Sequence, residues 1–242
     1  MKINDEKFNK WFSAFILIGL TVAVTIATAH KLRDESADKL LLLVSAFGSL
    51  MGVLSVVSSA NGKIWTFIVG FIDVTIYGIM CIIGSKYGNG ALHLLYFAPM
   101  QIVGFRQWKK RGAVGGETVR ARRLDGRHWL MYSLLFLAGC VVTYFILSRF
   151  DKSAADSFIR WAVVLDVLPV MCNILGQLLM SMAYMEQWIF WIGVNISSIL
   201  MWGSMLNTDA DSFASIYVIK YCFYLLNALN GLRIWVVLSR KQ

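Results

Sequence analysis

Long apolar stretches separated by short polar connectors constrain this chain more than any motif in it. They run Trp11–Ala29, Leu40–Ala60, Ile64–Gly84, Ala91–Trp108, Trp129–Ser148, Phe158–Tyr184, Gln187–Leu206 and Ser212–Leu238. A hydrocarbon core about 30 Å thick is crossed by about 20 helical residues rising about 1.5 Å each, and every stretch is near that length. Of 242 residues 58% are hydrophobic and 15% charged, with a mean hydropathy of +0.63. The expected fold is therefore an all-α integral membrane protein of about eight transmembrane helices, with no soluble domain. The first stretch ends in Ala27-Thr28-Ala29, a small-x-small pattern that could mark signal cleavage. Its apolar run is longer than a signal core and Asp5 and Glu6 precede it, so it reads as a membrane helix.

The net charge of +9 does not point to nucleic acid, because the basic residues sit in loops between apolar spans rather than on one solvated face. They report orientation. One side of the eight-span topology holds Lys2, Lys7, Lys10, Lys63, Lys109, Lys110, Arg111, Arg120, Arg122, Arg123, Arg127, Arg240 and Lys241. The other holds Lys31, Arg33, Lys39, Lys86, Arg149 and Lys152. Short cytoplasmic loops are enriched in Lys and Arg, so a multi-pass protein with both termini in the cytoplasm is expected. Cys81, Cys140, Cys172 and Cys222 all fall inside spans, without metal or redox spacing, and read as packing residues.

The segment Lys109–Arg127 is polar, with Gly112, Gly115, Gly116 and Gly126 and seven basic residues, and reads as a linker. It divides the chain near its middle. Gly104-Phe105-Arg106-Gln107-Trp108 matches Gly231-Leu232-Arg233-Ile234-Trp235 at an offset of 127. Trp65 and Gly70 match Trp188 and Gly193 at 123, and Gly52 matches Gly176 at 124. The expected organisation is an extra N-terminal helix and loop over 1–39, a first three-helix bundle over 40–108, a basic cytoplasmic loop and linker helix over 109–157, and a second three-helix bundle over 158–242. One linker helix between two odd-numbered bundles gives them the same orientation, an architecture of transporters that bind substrate between repeats. Gly48 and Gly52 form a small-xxx-small pair for close helix approach, with no chemistry expected there. Pro99 and Pro169 each remove a helical hydrogen bond and permit a kink.

Polar side chains inside a bilayer are costly and normally face the bundle interior. Asp73, Gln101, Asn173, Asn195 and Asn227 lie on five spans at roughly one depth, about 12–15 Å in. Amides can pair as helix glue, but the set is better explained by a lined cavity. Trp188, Trp191 and Asn195 share one helix face, where indoles and an amide can converge on a ligand; an aromatic-belt position is the other reading of Trp188. Indole faces attract planar or cationic rings, and amides donate and accept hydrogen bonds without charge. The set suits a flat heteroaromatic group bearing hydroxyls or an amide. Lys220 and His93 correspond at the offset of 127; they could mark an outer vestibule, and snorkelling is the simpler account of Lys220.

Phosphate-loop, His-Glu-x-x-His and Gly-x-Ser-x-Gly motifs are absent from the sequence. Neither enzymatic activity, a cofactor nor a metal is expected. The competing class is a membrane enzyme acting on a lipid, for which Asp73 and Asp166 would be the deep acids, each alone in its helix. A vitamin-binding subunit serving a separate ATPase is a third reading.

The run Trp188-x-x-Trp191-x-x-x-Asn195, preceded by Asn173-Ile174-Leu175-Gly176-Gln177 and followed by Gly231-Leu232-Arg233-Ile234-Trp235, resembles the bacterial nicotinamide riboside transporters of the PnuC family. The resemblance extends from about Leu40 to the C-terminus and is most specific in the last three spans. It implies a three-plus-one-plus-three fold akin to the SWEET proteins, a homotrimer in the inner membrane, and facilitated diffusion of nicotinamide riboside. It also implies that Trp188, Trp191, Asn195, Gln101 and Asn227 contact the ligand. Similar relatives carry thiamin or riboflavin, which stand as alternative substrates.

Overall fold

The computed structural model describes residues 3–33, 35, 38–85, 87–150, 161–204 and 214–240. Lys2, Lys86, Lys152 and Lys241, counted above for orientation, and the side chain of Asp166 lie outside the described residues. The helices are α1 (Ile3–Lys31), α2 (Lys39–Ala60), α3 (Trp65–Ile83), α4 (Tyr87–Leu92), α5 (Ala98–Lys110), α6 (Gly126–Phe150), α7 (Trp161–Ser181), α8 (Gln187–Ser204) and α9 (Ala214–Leu238). A π-helical turn over His93–Phe97 joins α4 to α5 without a break, so these elements make the eight expected passes. Among the described residues five helices are individually long and apolar enough to cross a bilayer: α1, α2, α3, α6 and α9.

Local chemistry accounts for the irregular points. Asp38 caps α2, its carboxylate accepting from the Leu40 and Leu41 amides at 3.0 and 3.1 Å. Pro99 lacks an amide hydrogen and its ring would collide with the carbonyl four residues back. The helix answers with the wider π turn immediately before it, where the Ala98 amide bonds the His93 carbonyl. Asp125, ahead of α6, accepts from the His128 amide at 2.8 Å and the ring Nδ1 at 2.7 Å, and these bonds hold its carboxyl below the usual carboxylate range.

Helix α2 packs on α3, α3 on α5, α7 on α8 and α8 on α9, while α2 also meets α9 and α5 meets α7. The last two contacts are reciprocated in detail. The Trp108 indole of α5 donates to the Met180 carbonyl of α7 at 2.8 Å, and the Trp235 indole of α9 donates to the Ser59 carbonyl of α2 at 3.0 Å. Both indoles are completely buried. The donors are 127 residues apart and the acceptors 121. The α2–α3 turn at Gly62 (φ +64°) and the α7–α8 turn at Ala183 (φ +61°) are also 121 apart. Phe67 fills the space over Gly104 that Trp188 fills over Gly231, whereas Trp65 is 61% exposed. The structural partner of Trp188 is therefore Phe67, and the sequence match to Trp65 is out of register by two residues.

The α5–α6 connection and the first helix both pack on the bundle. The segment between α5 and α6 is an ordered strap across one end of the bundle. Val119 N–H donates to Gly62 O (3.0 Å), Arg122 N–H to Ala183 O (2.6 Å) and Met185 N–H to Arg122 O (2.9 Å), while Arg123 Nε reaches Ser239 Oγ (2.9 Å). Lys63 donates to the Gly116 carbonyl, and the Arg122 guanidinium lies 4.3 Å from the centre of the Tyr184 ring. Ala113, Val119 and Ala121 are buried in the same cluster as Trp108, Trp188 and Trp235. Helix α1, in turn, seals the seam between α2 and α9, burying Ile16 and Leu20 against Val53 and Val57. Its Asn9 accepts from Arg233 of α9, which places the beginning of α1 and the end of α9 at the strap end. Helix α6 buries none of its apolar window and packs on α7.

Candidate functional site

Counting from the strap end at about 1.5 Å per residue, Trp188 lies at the mouth, Trp191 about one turn deeper, and Asp73, Asn195, Gln101 and Asn227 about 12–17 Å in. The strap end is shut by aromatic rings. Phe67 meets Trp108 edge-on with centroids 4.8 Å apart, Trp108 lies 5.2 Å from Trp235, and Trp235 lies 6.2 Å from Trp188. Trp188 is 3% exposed and seated on Gly231, where a single added methyl would come within 2.6 Å of its ring. Its indole nitrogen has no hydrogen-bond partner.

Above this plug the two halves present different surfaces. In the first half Gly70 of α3 leaves a slot occupied by Ser55 Oγ and by the amide oxygen of Gln101, 2.8 and 2.9 Å from where a β-carbon would stand. Gln101 is 4% exposed, and that oxygen has no hydrogen-bond partner. An unpartnered buried acceptor costs about 1–3 kcal/mol, so it is retained where something else, such as a ligand, satisfies it. In the second half the position 121 residues after Gly70 is Trp191, whose indole lies against Gly176, 3.2 Å from a β-carbon placed there. Gly176 stands 121 residues after Ser55.

Two of the remaining predicted amides are tied to backbone carbonyls. Asn227 Nδ2 donates to the Val56 carbonyl of α2 at 3.0 Å, tying α9 to the first half. Asn173 turns back on its own helix, donating to the Pro169 carbonyl at 2.8 Å, one turn below the bond that Pro169 cannot make. Asn195 is buried on α8, two turns beyond Trp188. The Asp73 carboxylate sits against Gly52, its oxygens 2.7 and 3.0 Å from a β-carbon placed there, so the glycine pair of α2 makes room for a charge as well as for Ile76 over Gly48. The sequence did not single out Ser55, which bridges to Thr66 by mutual hydroxyl–carbonyl bonds of 3.0 and 2.9 Å, or Tyr96, whose hydroxyl donates to the Ile174 carbonyl of α7 at 2.6 Å. Nothing in a single sequence marks these hydroxyls, because their partners are backbone carbonyls of other helices. Among the described residues no cluster of three or more His, Cys, Asp or Glu could hold a metal.

At mid-depth the described residues bring Gln101, Asn195, Asn227 and the Asp73 carboxylate to one level, with the Trp191 indole nearer the strap. Comparison with known proteins identifies the family. The sequence model of the nicotinamide mononucleotide transporter family matches residues 42–237. The nicotinamide riboside transporter PnuC of Neisseria mucosa is 30% identical over 82% of this chain and 74% of its own length. That of Haemophilus influenzae is 27% identical over 96% of this chain and 90% of its own. The crystal structure of the vitamin B3 transporter PnuC superposes with a TM-score of 0.66 at 27% identity, covering 100% of this chain and 99% of that one. The chain belongs to the nicotinamide mononucleotide transporter family.

Proposed function

We propose that this protein carries nicotinamide riboside into the cell by facilitated diffusion, holding it at mid-membrane between two halves of like orientation. The halves are the bundles of 40–108 and 158–242, joined by the strap and linker helix of 109–157, with 1–39 as an added helix. Supporting the duplication are the reciprocal indole–carbonyl bonds of Trp108 and Trp235 and the paired turns at Gly62 and Ala183. The observation that carries the substrate reading is the buried, unpartnered amide oxygen of Gln101 in the slot beside Gly70. A carboxamide or a ribose hydroxyl supplies the donor it lacks. Trp191 provides a face for the cationic pyridinium, Asn195 and Asn227 orient the polar edges, and Trp188 closes the floor. Asn173 and Asp73 border the same depth, the latter as the negative charge nearest a cationic ring.

The family's description names the mononucleotide and the relatives' names the riboside. The side chains proposed to hold the ligand include no guanidinium to receive a phosphate, which favours the riboside. The excess of basic residues at the strap end supports a cytoplasmic strap and cytoplasmic termini in a bacterial inner membrane. The exposed apolar surface of α6, with Leu134, Leu137 and Phe145, supports contact with lipid or with further copies in a homotrimer. Calorimetric titration of the purified protein tests the substrate. The riboside should bind, while nicotinamide and the mononucleotide bind far more weakly, and Asn195→Leu should weaken the riboside about 5- to 150-fold. Equal binding of riboside and mononucleotide would overturn the assignment.

A further inference from the structure

The outer face of α9 differs from its counterpart in the first half because α1 packs on α9. At the offset of 127, Leu229 and Arg233 correspond to Ile102 and Arg106 of α5, and all four are exposed. Against Arg233, however, α1 sets a ring, an amide and a carboxylate. The Phe8 ring centre lies 4.9 Å from the guanidinium carbon, and Phe8 stacks on Phe12 with centroids 5.6 Å apart. Asn230 Oδ1 accepts from Nε and Nη2 of Arg233 at 3.1 and 3.0 Å, and Asn9 Oδ1 also accepts from Nη2. These bonds fix one edge of the guanidinium. On the other edge, Nη1 is 3.9 Å from Asp5 Oδ1, which is beyond hydrogen-bond length. A guanidinium carries five N–H donors, so the two on Nη1 make no hydrogen bond to that carboxylate.

The pair stands at one end of an open groove of about 590 Å³ between α1 and α9, walled by Phe8, Phe12, Leu226 and Leu229. Asp5 is near the start of α1 and Arg233 near the end of α9, so the charges mark the interfacial end. Phe12 follows Asp5 by seven residues and Leu226 precedes Arg233 by seven, so both walls run about 10 Å inward from the pair. An exposed ion pair of this length contributes little by itself. A guanidinium and a carboxylate side by side at the interface, above an apolar trough, are instead complementary to a zwitterionic phospholipid. Its phosphate would accept from the Nη1 edge of Arg233, its ammonium would donate to Asp5, and an acyl chain would cover the rings and leucines. An anionic headgroup would answer Arg233 but bring repulsion to Asp5. We propose that the groove between α1 and α9 binds phosphatidylethanolamine, with the phosphate on Arg233 and the ammonium on Asp5. Lipid binding here is independent of which solute crosses the bundle.

Native mass spectrometry of the detergent-purified full chain, mixed with equal amounts of dioleoyl phosphatidylethanolamine and dioleoyl phosphatidylglycerol, reads the ratio in which the two lipids are retained. A ratio taken within one spectrum is independent of how much protein is folded. The parent should retain phosphatidylethanolamine over phosphatidylglycerol by about tenfold, Asp5→Asn should reduce that preference to about twofold, and Asp5→Lys should invert it. Leu229→Trp fills the groove, leaves both charges in place, and should lower phosphatidylethanolamine retention about tenfold. Arg106→Gln, on the corresponding face of α5, should leave the ratio within about twofold of the parent. An equal ratio in the parent, or a preference that survives Asp5→Lys, overturns the proposal. So does undiminished retention by Leu229→Trp, which puts the lipid elsewhere, or a loss of oligomer mass in that variant, which gives the groove to a second copy of the chain.

Discussion

At Gly70 and at Trp191 the two halves of the protein solve one packing problem in opposite ways. Both positions face a small residue on the preceding helix, Ser55 in one half and Gly176 in the other. The first half keeps the space small and polar, so the Gln101 amide oxygen points into it unpartnered; the second fills it with an indole. Nearer the strap the halves agree, down to the indole–carbonyl bonds of Trp108 and Trp235. In the proposed site, one half would supply hydrogen bonding and the other a stacking face.

Substitutions at these positions can break the contrast. Trp191→Ala removes the stacking face, and riboside affinity should fall about 30-fold, the equivalent of about 2 kcal/mol for a desolvated cation–π contact; Trp191→Phe should recover part of it. Gln101→Leu should weaken the riboside about tenfold, as a lost hydrogen bond does, yet leave the thermal midpoint of the empty protein unchanged or higher, because it deletes an unsatisfied buried oxygen. A lower midpoint with unchanged binding would make Gln101 a structural brace.

The agreement between the halves is tested by matched substitutions. Trp108→Phe and Trp235→Phe each remove one indole N–H while keeping much of the ring, and each should cost about 1 kcal/mol in unfolding measurements. A large disparity would show that one seam, not both, holds the halves together. The paired turns should give effects no larger than these. Ala183 holds a left-handed conformation that disfavours a β-carbon by about 1–2 kcal/mol, so Ala183→Gly should stabilise by up to about 1 kcal/mol after the added entropy of glycine. Gly62→Ala, in the same conformation, should destabilise by a similar amount, about 1 kcal/mol.

Span lengths made the helical membrane fold legible in the sequence, and the depth of Asp73, Gln101, Asn195 and Asn227 followed from counting residues. Two features were not legible, for identifiable reasons. The segment between α5 and α6 reads as a polar linker with Gly112, Gly115 and Gly116; what makes it a strap are carbonyls of Gly62 and Ala183, far off in sequence. The partner of Trp188 is Phe67 because two turns of different composition share one geometry, which identity matching cannot see.

Riboside is proposed to move passively through a site formed between the two halves. Equilibrative exchange of radiolabelled nicotinamide riboside in liposomes containing only this purified protein, with proton and sodium gradients collapsed and no nucleotide present, tests it directly. Label should equilibrate, and Trp191→Ala should slow exchange at low riboside concentration. Exchange that requires an ion gradient or ATP would contradict it.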